Sequence, residues 1–367
     1  MLGLFVLAST LASIAGGLPC RGARAETPPS GWDIARDPAE RARWALHVRV
    51  QRLMHASTGD TSLPLDEELR LEAARAMLEE ADAAHSPDVR LQFDMGVVYS
   101  RLASRQQRLD YERRVVEVLV PALAAAPDDP GATGALEALV YAYAKLDRPR
   151  EELDTWRRYI PRLNDDRVRA MAMMNMGEAE MRLGAVNDAL STFREVLRMC
   201  GELPNSPGVM STYVLTLWDL GVALDRSGDP RGALDAAAKA SHIAIGGKTG
   251  AFLIAEDPDV FFVPEWERDW YLALGAAAEG RDADDPRAAA LLWGAAERYW
   301  TRYVELSTAA QSKAAREEGE PWLVIARVRR DHARAQRQNA EARAAKLPRR
   351  AAPRTPWTGP WLGPWTQ

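Results

Sequence analysis

Apolar residues recur every three to four positions along most of the chain, and Pro and Gly separate the periodic stretches. Residues 40–56 and 66–85 form an amphipathic pair of this kind. In the second stretch Leu69, Ala73 and Met77 keep the spacing of one helical stripe. Ala is frequent and runs of β-branched residues are scarce, which favours helix over strand. The pattern predicts an all-α protein whose helices pair in chain order.

The successive helical stretches can be aligned on one position, which is glycine in four of them and valine in one, and we call these positions the anchors. The anchors are Gly96, Val140, Gly177, Gly221 and Gly275, separated by 44, 37, 44 and 54 residues. Twelve positions after an anchor come Ala189 and Ala233, and sixteen positions after one come Trp156, Phe193 and Ala237. A glycine lets two helices approach, small alanines line the contact, and an aromatic ring fills the remaining gap. The anchor glycines are therefore predicted at crossings between neighbouring helices.

Two segments carry this pattern most clearly, "MNMGEAEMRLGAVNDALSTFREV" from Met174 and "LWDLGVALDRSGDPRGALDAAAKA" from Leu217. They resemble the tetratricopeptide repeat (TPR), whose pattern is W-x2-L-G-x2-Y, then A-x3-F, then Pro. The resemblance covers residues 89–247 well and 268–306 loosely. It implies a right-handed solenoid of helical hairpins whose first helices line a concave groove for a protein partner. The anchor spacings depart from the family's constant period of about 34, so some helices and loops should be longer.

The pattern divides the chain into five parts. These are a signal peptide at 1–25, a linker at 26–39, a TPR-like array at 40–306, a C-terminal helix at 307–346 and a disordered tail rich in Pro, Trp and Arg at 347–367. Within the array, residues 246–268 hold many aromatic residues without helical spacing in their first half. They are predicted to form an insertion loop or a short hairpin.

The N-terminus has the pattern of a secretory signal. Leu2 to Leu18 form an apolar run, and "ARA" before Glu26 fits a cleavage site between small residues. The chain is thus predicted to be periplasmic or secreted after cleavage behind Ala25, with a retained anchor as the alternative because no base precedes the apolar run. A lipoprotein at Cys20 is disfavoured, since no small residue precedes this cysteine. Cys200 would then be the remaining cysteine and is predicted to be a buried apolar residue.

The charge distribution is uneven. The full chain has a formal net charge of -5, but residues 327–354 carry ten bases against Asp331 and Glu341. Two interpretations stay open for this basic stretch, a solvated helix face and a contact with an anionic surface. The Pro-Trp pairs at 356–357, 360–361 and 364–365 are either a short docking motif or part of an unconstrained tail.

Catalytic and metal-binding patterns fail when tested. "IGGKTG" ends like a phosphate loop, but His242 stands where the first glycine belongs and no apolar strand precedes it. No two histidines have a metal-binding spacing. The carboxylate pair Asp165–Asp166 precedes a helix and Asp284–Asp285 another, where Asp favours helix starts. The sequence therefore predicts no catalytic residue, no metal and no cofactor.

The groove is the predicted site. Its candidate residues, taken from the first helix of each hairpin, are Arg101, Tyr141, Lys145, Met174, Glu178, Arg182, Trp218, Val222 and Arg226. A base lies five positions after each of four anchors, and this row would suit an acidic peptide or a C-terminal carboxylate, with a solvated surface as the alternative. The predicted function is a non-enzymatic protein-interaction scaffold of the cell envelope, without specific nucleic-acid binding. The alternatives are an α/α-toroid glycan-active enzyme with two carboxylates in a deep central cleft, and an anionic-surface binder acting through the basic stretch.

Overall fold

A computed structural model describes residues 37–55, 66–257, 260–313, 322–347 and residue 361. Within these ranges the chain is all-helical apart from one two-stranded hairpin, so the predicted all-α class is confirmed. None of the described helices combines the length and the apolar character needed to span a bilayer. The predicted signal peptide and most of the linker, at residues 1–36, lie outside the described residues.

The chain divides into two compact units on either side of the bond between Leu146 and Asp147. The first unit contains α1 Pro38–Met54, α2 Glu67–Glu80, α3 Val89–Gln106, α4 Leu109–Ala125 and α5 Ala132–Lys145, with a 3₁₀ turn at Ala83–His85. Asp37, Asp66 and Asp88 start three of these helices, because each side chain accepts a hydrogen bond from a backbone N–H of the first turn.

The second unit contains the other nine helices described. They are α6 Pro149–Tyr159, α7 Asp166–Arg182, α8 Val186–Glu202, α9 Pro207–Arg226, α10 Pro230–His242, α11 Gly250–Ala255, α12 Glu267–Asp282, α13 Pro286–Lys313 and α14 Leu323–Ala345. A 3₁₀ turn at Ile160–Arg162 follows α6, and strands β1 Ala244–Ile245 and β2 Lys248–Thr249 pair antiparallel between α10 and α11. Asp165 caps α7, as the sequence predicted for its carboxylate pair.

Three of the anchor glycines lie at helix crossings, as predicted. Gly96 of α3 faces the side chain of Leu119 in α4. A Cβ atom at Gly177 would lie 2.5 Å from the ring of Phe193, and one at Gly221 would lie 3.2 Å from the carbonyl oxygen of Ala233. A Cβ atom cannot lie 2.5 Å from a ring carbon, so the close contact of α7 with α8 depends on the absence of a side chain at Gly177.

The fourth anchor glycine behaves differently. Gly275 lies inside α12, but the atoms nearest to its missing Cβ belong to Trp361 and not to a neighbouring helix. The glycine at the crossing of α12 with α13 is instead Gly280, whose Cβ would lie 3.2 Å from Trp293 and 3.3 Å from Leu292. The sequence missed Gly280 because "LALG" matched the repeat pattern five residues earlier.

The reason for this departure is the short helix α11. It has six residues, whereas α9 has 20 and α12 has 16. In chain order α11 takes the place of the first helix of a new pair and α12 the place of the second, so the prediction of Leu274–Gly275 as a first-helix anchor is wrong. Six residues hold too little periodicity for the sequence to reveal such a helix. The predicted hairpin in 246–268 is present in part, as strands β1 and β2.

Two further boundaries differ from the prediction. Helix α13 continues through residues 306 and 307, where the sequence placed the start of the C-terminal helix, and α14 begins at Leu323. Trp361 belongs to the tail that was predicted to be disordered, yet its side chain is fully buried. The rest of the tail beyond Leu347 lies outside the described residues.

Aromatic residues form much of the core of the second unit. Trp270 of α12 meets Trp300 and Tyr303 of α13 edge to face, with ring centroids 4.8 and 5.0 Å apart. All three side chains are buried. Cys200 of α8 is buried with a free thiol, as predicted, and burial raises its pKa to about 11. This core holds the helices on which the candidate site is built.

Candidate functional site

Ionisable side chains from α7, α9 and α12 converge inside the second unit. The members are Glu178, Asp219, Arg226, Glu267 and Tyr271, and we call this set the polar cluster. Hydrogen bonds join Tyr271 to Asp219 and Arg226 to Glu267. Glu178 is close enough to the carboxylates of Asp219 and Glu267 for their charges to act on it.

Helix geometry places these residues in register. Glu267 and Tyr271 are four positions apart on α12, and Asp219 and Arg226 are seven positions apart on α9, so each pair lies on one face of its helix. The contacts run in opposite order along the two helices, which are therefore antiparallel. A first helix of a regular TPR would run parallel to its predecessor, and the short α11 accounts for the reversal.

One carboxylate oxygen in the cluster is left without a partner. The hydroxyl group of Tyr271 donates to Asp219 Oδ1 at 2.8 Å. Asp219 is 3% exposed, and its Oδ2 atom is buried with no hydrogen-bond partner in the described part of the chain. An unpaired buried acceptor of this kind is costly, so it marks a place where a donor would be bound favourably.

Arg226 is paired with an acid of its own unit, and its Nε atom is buried without a hydrogen-bond partner in the described chain. Its guanidinium group donates to Glu267, whose other oxygen accepts from the Tyr303 hydroxyl at 3.2 Å. It also lies over the rings of Trp270 and Trp322, 4.4 and 5.0 Å from their centroids. These contacts enclose Arg226, which is 5% exposed, and remove it from the residues available to a partner.

The carboxyl groups of Asp219 and Glu178 hold protons unusually well. Burial raises the pKa of Asp219 to about 7, and the hydrogen bond from Tyr271 opposes this only in part. Burial also raises the pKa of Glu178 well above that of a free carboxyl, and the charges of Asp219 and Glu267 raise it further. Glu178 is half-buried as a residue, whereas the other four members of the cluster are buried.

The predicted row of bases does not form an open acid-binding surface. Arg101 donates to Glu67 at 2.6 Å in the first unit, and Arg182 donates to Glu152 and lies 3.8 Å from Asp147 in the second. Arg226 is paired as described above. The acids that neutralise these arginines lie 34, 30 and 41 residues away along the chain, beyond the reach of any local pattern. The expectation that this row binds an acidic peptide is therefore wrong for these three bases.

The fourth base of the row is in the first unit. Lys145 is half-buried, and burial lowers its pKa to about 8, opposed by the charge of Glu112. Glu112 is itself buried, and its pKa is raised to about 7. Tyr141 is half-buried on the same helix.

The remaining apolar candidates belong to the interior. Met174 and Val222 are buried and form part of the core of the second unit. Trp218 is fully buried, and its indole N–H donates to the carbonyl oxygen of Gly250 at 3.1 Å. Of the predicted site residues, the polar cluster brings together Glu178 and Arg226. The sequence missed Asp219, Glu267 and Tyr271, whose relation depends on the fold of α11.

Basic residues of α14 are partly neutralised by neighbours. Arg329 donates to Asp225 at 2.7 Å, and Arg334 and Arg337 both donate to Glu297, at 2.8 and 2.9 Å. Arg334 and Arg337 fit the solvated-face interpretation, whereas Arg329 pairs with the buried carboxylate of Asp225. The contact of this stretch with an anionic surface stays an untested alternative.

Trp361 fills a second site, which we call the tryptophan slot. Its walls are Trp218 of α9, Gly275 and Glu279 of α12 and Tyr299 of α13. The indole N–H of Trp361 donates to Glu279 Oε1 at 2.9 Å, and the Tyr299 hydroxyl donates to the backbone carbonyl oxygen of Trp361 at 3.0 Å. Its ring meets the ring of Trp218 edge to face at 5.7 Å.

No protein-family model matches this chain. No curated protein matches it either. Among solved structures it is similar to a putative kinesin light chain with nearly identical TPR-like repeats from Podosopora anserina, at 14% identity and a TM-score of 0.38, covering 56% of this chain and 95% of the other. A variant of the same protein aligns at 16% identity and a TM-score of 0.35, covering 59% and 95%. Both are TPR-like repeat proteins, the class that the sequence pattern resembles.

Proposed function

We propose that this protein is a non-enzymatic interaction scaffold that binds a segment of a protein partner at the polar cluster. The observation that carries the proposal is the buried, unpartnered Oδ2 atom of Asp219, with the carboxyl of the half-buried residue Glu178 close enough for their charges to interact. A donor that reaches both groups would satisfy an acceptor that the described chain leaves unpaired.

The charges of the cluster favour a basic side chain as that donor. Of the three carboxyl groups, Glu267 already pairs with Arg226, and its charge also acts on Arg182. Asp219 and Glu178 have no such partner, and burial raises the pKa of both carboxyls above the usual range. A lysine ammonium group offers three donors and an arginine guanidinium five, so either would replace the protons and ionise both carboxyls.

The helical architecture supports a protein segment as the bearer of this side chain. Stacked helical hairpins present side chains from successive helices along one surface, and extended segments bind such surfaces through several side chains at once. Glu178 lies on a first helix of the predicted array, α7, and is the member of the cluster that keeps contact with solvent. The entering side chain would pass Glu178 and end at Asp219.

The same two carboxyls are the observation in favour of a glycan-active enzyme. An enzyme of that class needs both groups to flank a sugar ring in an open cleft. Asp219 is 3% exposed and accepts a hydrogen bond from Tyr271. A carboxyl buried in this way suits contact with one narrow side chain better than contact with a sugar ring. The scaffold is therefore the better-supported function.

A pair of peptide libraries tests the proposal. One has a fixed central lysine with randomised flanks, and the other has norleucine at that position, which keeps the chain length but removes the charge. The lysine library should be retained by the immobilised protein and lost when Glu178→Gln and Asp219→Asn are combined. Glu202→Gln, an exposed carboxyl change in α8, is the matched control and should retain binding. Equal retention of both libraries would refute a cation site.

We also propose that the protein works in the cell envelope, on the basis of its N-terminal sequence. The apolar run and the "ARA" site before Glu26 support export and cleavage. Mass spectrometry of the protein from its native host should find a mature chain that starts at Glu26. A chain that retains residues 1–25 in the soluble cell fraction would contradict this location.

A further inference from the structure

The ring of Trp361 lies against helix α12 at Gly275, where the helix has no side chain. Glycine inside a helix costs stability relative to alanine, so its presence at 275 needs a packing reason. The three atoms nearest to the position of its missing Cβ all belong to the ring of Trp361. A side chain at residue 275 would therefore meet the indole ring, and the glycine makes the tryptophan slot.

The tryptophan slot makes hydrogen bonds to both the side chain and the backbone of its occupant. Glu279 accepts from the indole N–H, which phenylalanine and tyrosine lack at that place on the ring. Tyr299 donates to the main-chain carbonyl of residue 361, which fixes the direction of the chain that carries the ring. Trp218 supplies an edge-to-face contact. Together these contacts select a tryptophan that is part of a peptide chain.

Trp361 belongs to a C-terminal segment whose composition differs from that of the helices in the second unit. Residues 355–367 read "TPWTGPWLGPWTQ", with a Pro-Trp pair three times, and Trp361 is the middle one. Proline restricts the chain and lowers the entropy lost when an extended segment binds. The sequence thus has the composition of a short linear ligand and lacks the periodicity of a core helix.

We propose that the tryptophan slot is a binding site for a Pro-Trp peptide segment of a partner protein, and that the tail of this chain is its internal competitor. This proposal does not rest on the polar cluster. A tethered ligand acts at an effective concentration in the millimolar range. A partner segment therefore binds the free slot far more tightly than the slot that Trp361 fills.

The test compares the full chain with a chain that ends at Arg354, which lacks all three Pro-Trp pairs. The probe is the labelled, blocked peptide Thr-Gly-Pro-Trp-Leu-Gly, which corresponds to residues 358–363 and holds one tryptophan. Fluorescence anisotropy should show binding to the shortened chain at least tenfold tighter than to the full chain. The same peptide with Phe in place of the tryptophan should bind the shortened chain at least tenfold more weakly.

Two glycine variants of the shortened chain provide the decisive control. Gly275→Ala places a methyl group in the slot and should abolish peptide binding, while circular dichroism shows an unchanged helix content because alanine favours helix. Gly201→Ala lies in α8 with open space around it and should leave binding unchanged. Equal binding by the Gly275→Ala chain, or equal binding by the full and shortened chains, would overturn the proposal.

Two further measurements complete the test: whether the shortened chain folds, and whether the full chain is a monomer. If the shortened chain is unfolded and the peptide does not restore its structure, Trp361 is a core residue and the proposal fails. If the peptide restores the fold of the shortened chain but not of its Gly275→Ala variant, the slot is a separable ligand site as proposed. Light scattering of the full chain should give a monomer, since a dimer held by exchanged tails would make a second copy the occupant and contradict an internal competitor.

Discussion

The hydroxyl group of Tyr271 donates to Oδ1 of Asp219 at 2.8 Å, while Oδ2 of the same carboxyl is buried without a partner. This half-satisfied carboxyl joins α9 to α12 across 52 residues of sequence. Burial of this carboxyl raises its pKa to about 7, and its unpaired oxygen is the feature from which the proposed binding follows.

Asp219→Asn should change how stability depends on pH. The folded protein keeps the Asp219 proton up to a pKa of about 7, whereas the unfolded chain releases it near 3.8. The contribution of Asp219 to stability is therefore fully present below about pH 4 and is lost as the pH rises to 7, by an amount on the order of 4 kcal/mol at most. The variant should gain stability relative to the parent over this range.

Urea unfolding at pH 4.5, 5.5 and 7 measures this difference. Asp154→Asn is a suitable control, because its side chain is 76% exposed in the same unit. A stability difference between Asp219→Asn and the parent that stays constant from pH 4.5 to 7 would contradict the raised pKa.

Gly177→Ala should destabilise the contact between α7 and α8. The new Cβ would lie 2.5 Å from the Phe193 ring, so either the ring or the helix must move, at a cost of about 1–3 kcal/mol. Gly201→Ala in α8 meets nothing within 4 Å and should stabilise the protein by up to about 1 kcal/mol through helix propensity. Thermal melting of the two variants gives the comparison, and a Gly177→Ala protein as stable as the parent would rule out the tight crossing.

Arg226→Met should destabilise the second unit strongly. It removes the cation beside Glu267 and leaves a buried carboxylate with the Tyr303 hydroxyl as its hydrogen-bond partner in the described structure, at a cost of about 3–5 kcal/mol. Adding Glu267→Gln should recover part of that loss, because the uncompensated charge disappears. Chemical denaturation of the parent, both single variants and the double variant forms a mutant cycle. Strictly additive changes would show that the two groups do not interact.

Glu112→Gln should affect the first unit in a pH-dependent way. Burial raises the pKa of Glu112 to about 7 from 4.5, so its contribution to stability falls as the pH rises from 4.5 to 7. Lys145, with a pKa lowered to about 8 from 10.5, stays protonated through most of that window and contributes its own change above it. Protection factors for the amides of α4 should fall less in the variant than in the parent between pH 5 and 7. An equal fall in both proteins would contradict a buried, protonated Glu112.

The sequence was sufficient for the features that depend on near neighbours. Gly177 and Phe193 are sixteen residues apart in one helical hairpin, and the spacing alone placed them in contact. Asp165 was recognised as a helix cap for the same reason, since a cap acts within its own first turn. Local periodicity therefore predicted the helical class and three of the four glycine crossings.

The candidate site depended on relations that no local pattern contains. Arg182 and Arg226 looked like free bases because their partners Glu152 and Glu267 lie on other helices. Helix α11 is too short to show a period, and its length determines which face α12 turns towards Asp219. The fit of Trp361 against Gly275 joins the tail to a helix 86 residues away, which composition alone does not suggest.

The most direct test of the proposed binding is calorimetric titration with a lysine peptide selected from the library, at pH 6 and pH 8, in two buffers that differ in ionisation enthalpy. Binding of a cation between Glu178 and Asp219 should release protons at pH 6, and the affinity should rise about tenfold or more by pH 8. Both effects should disappear in the protein that combines Glu178→Gln with Asp219→Asn. Equal affinity at the two pH values without proton release would contradict the account.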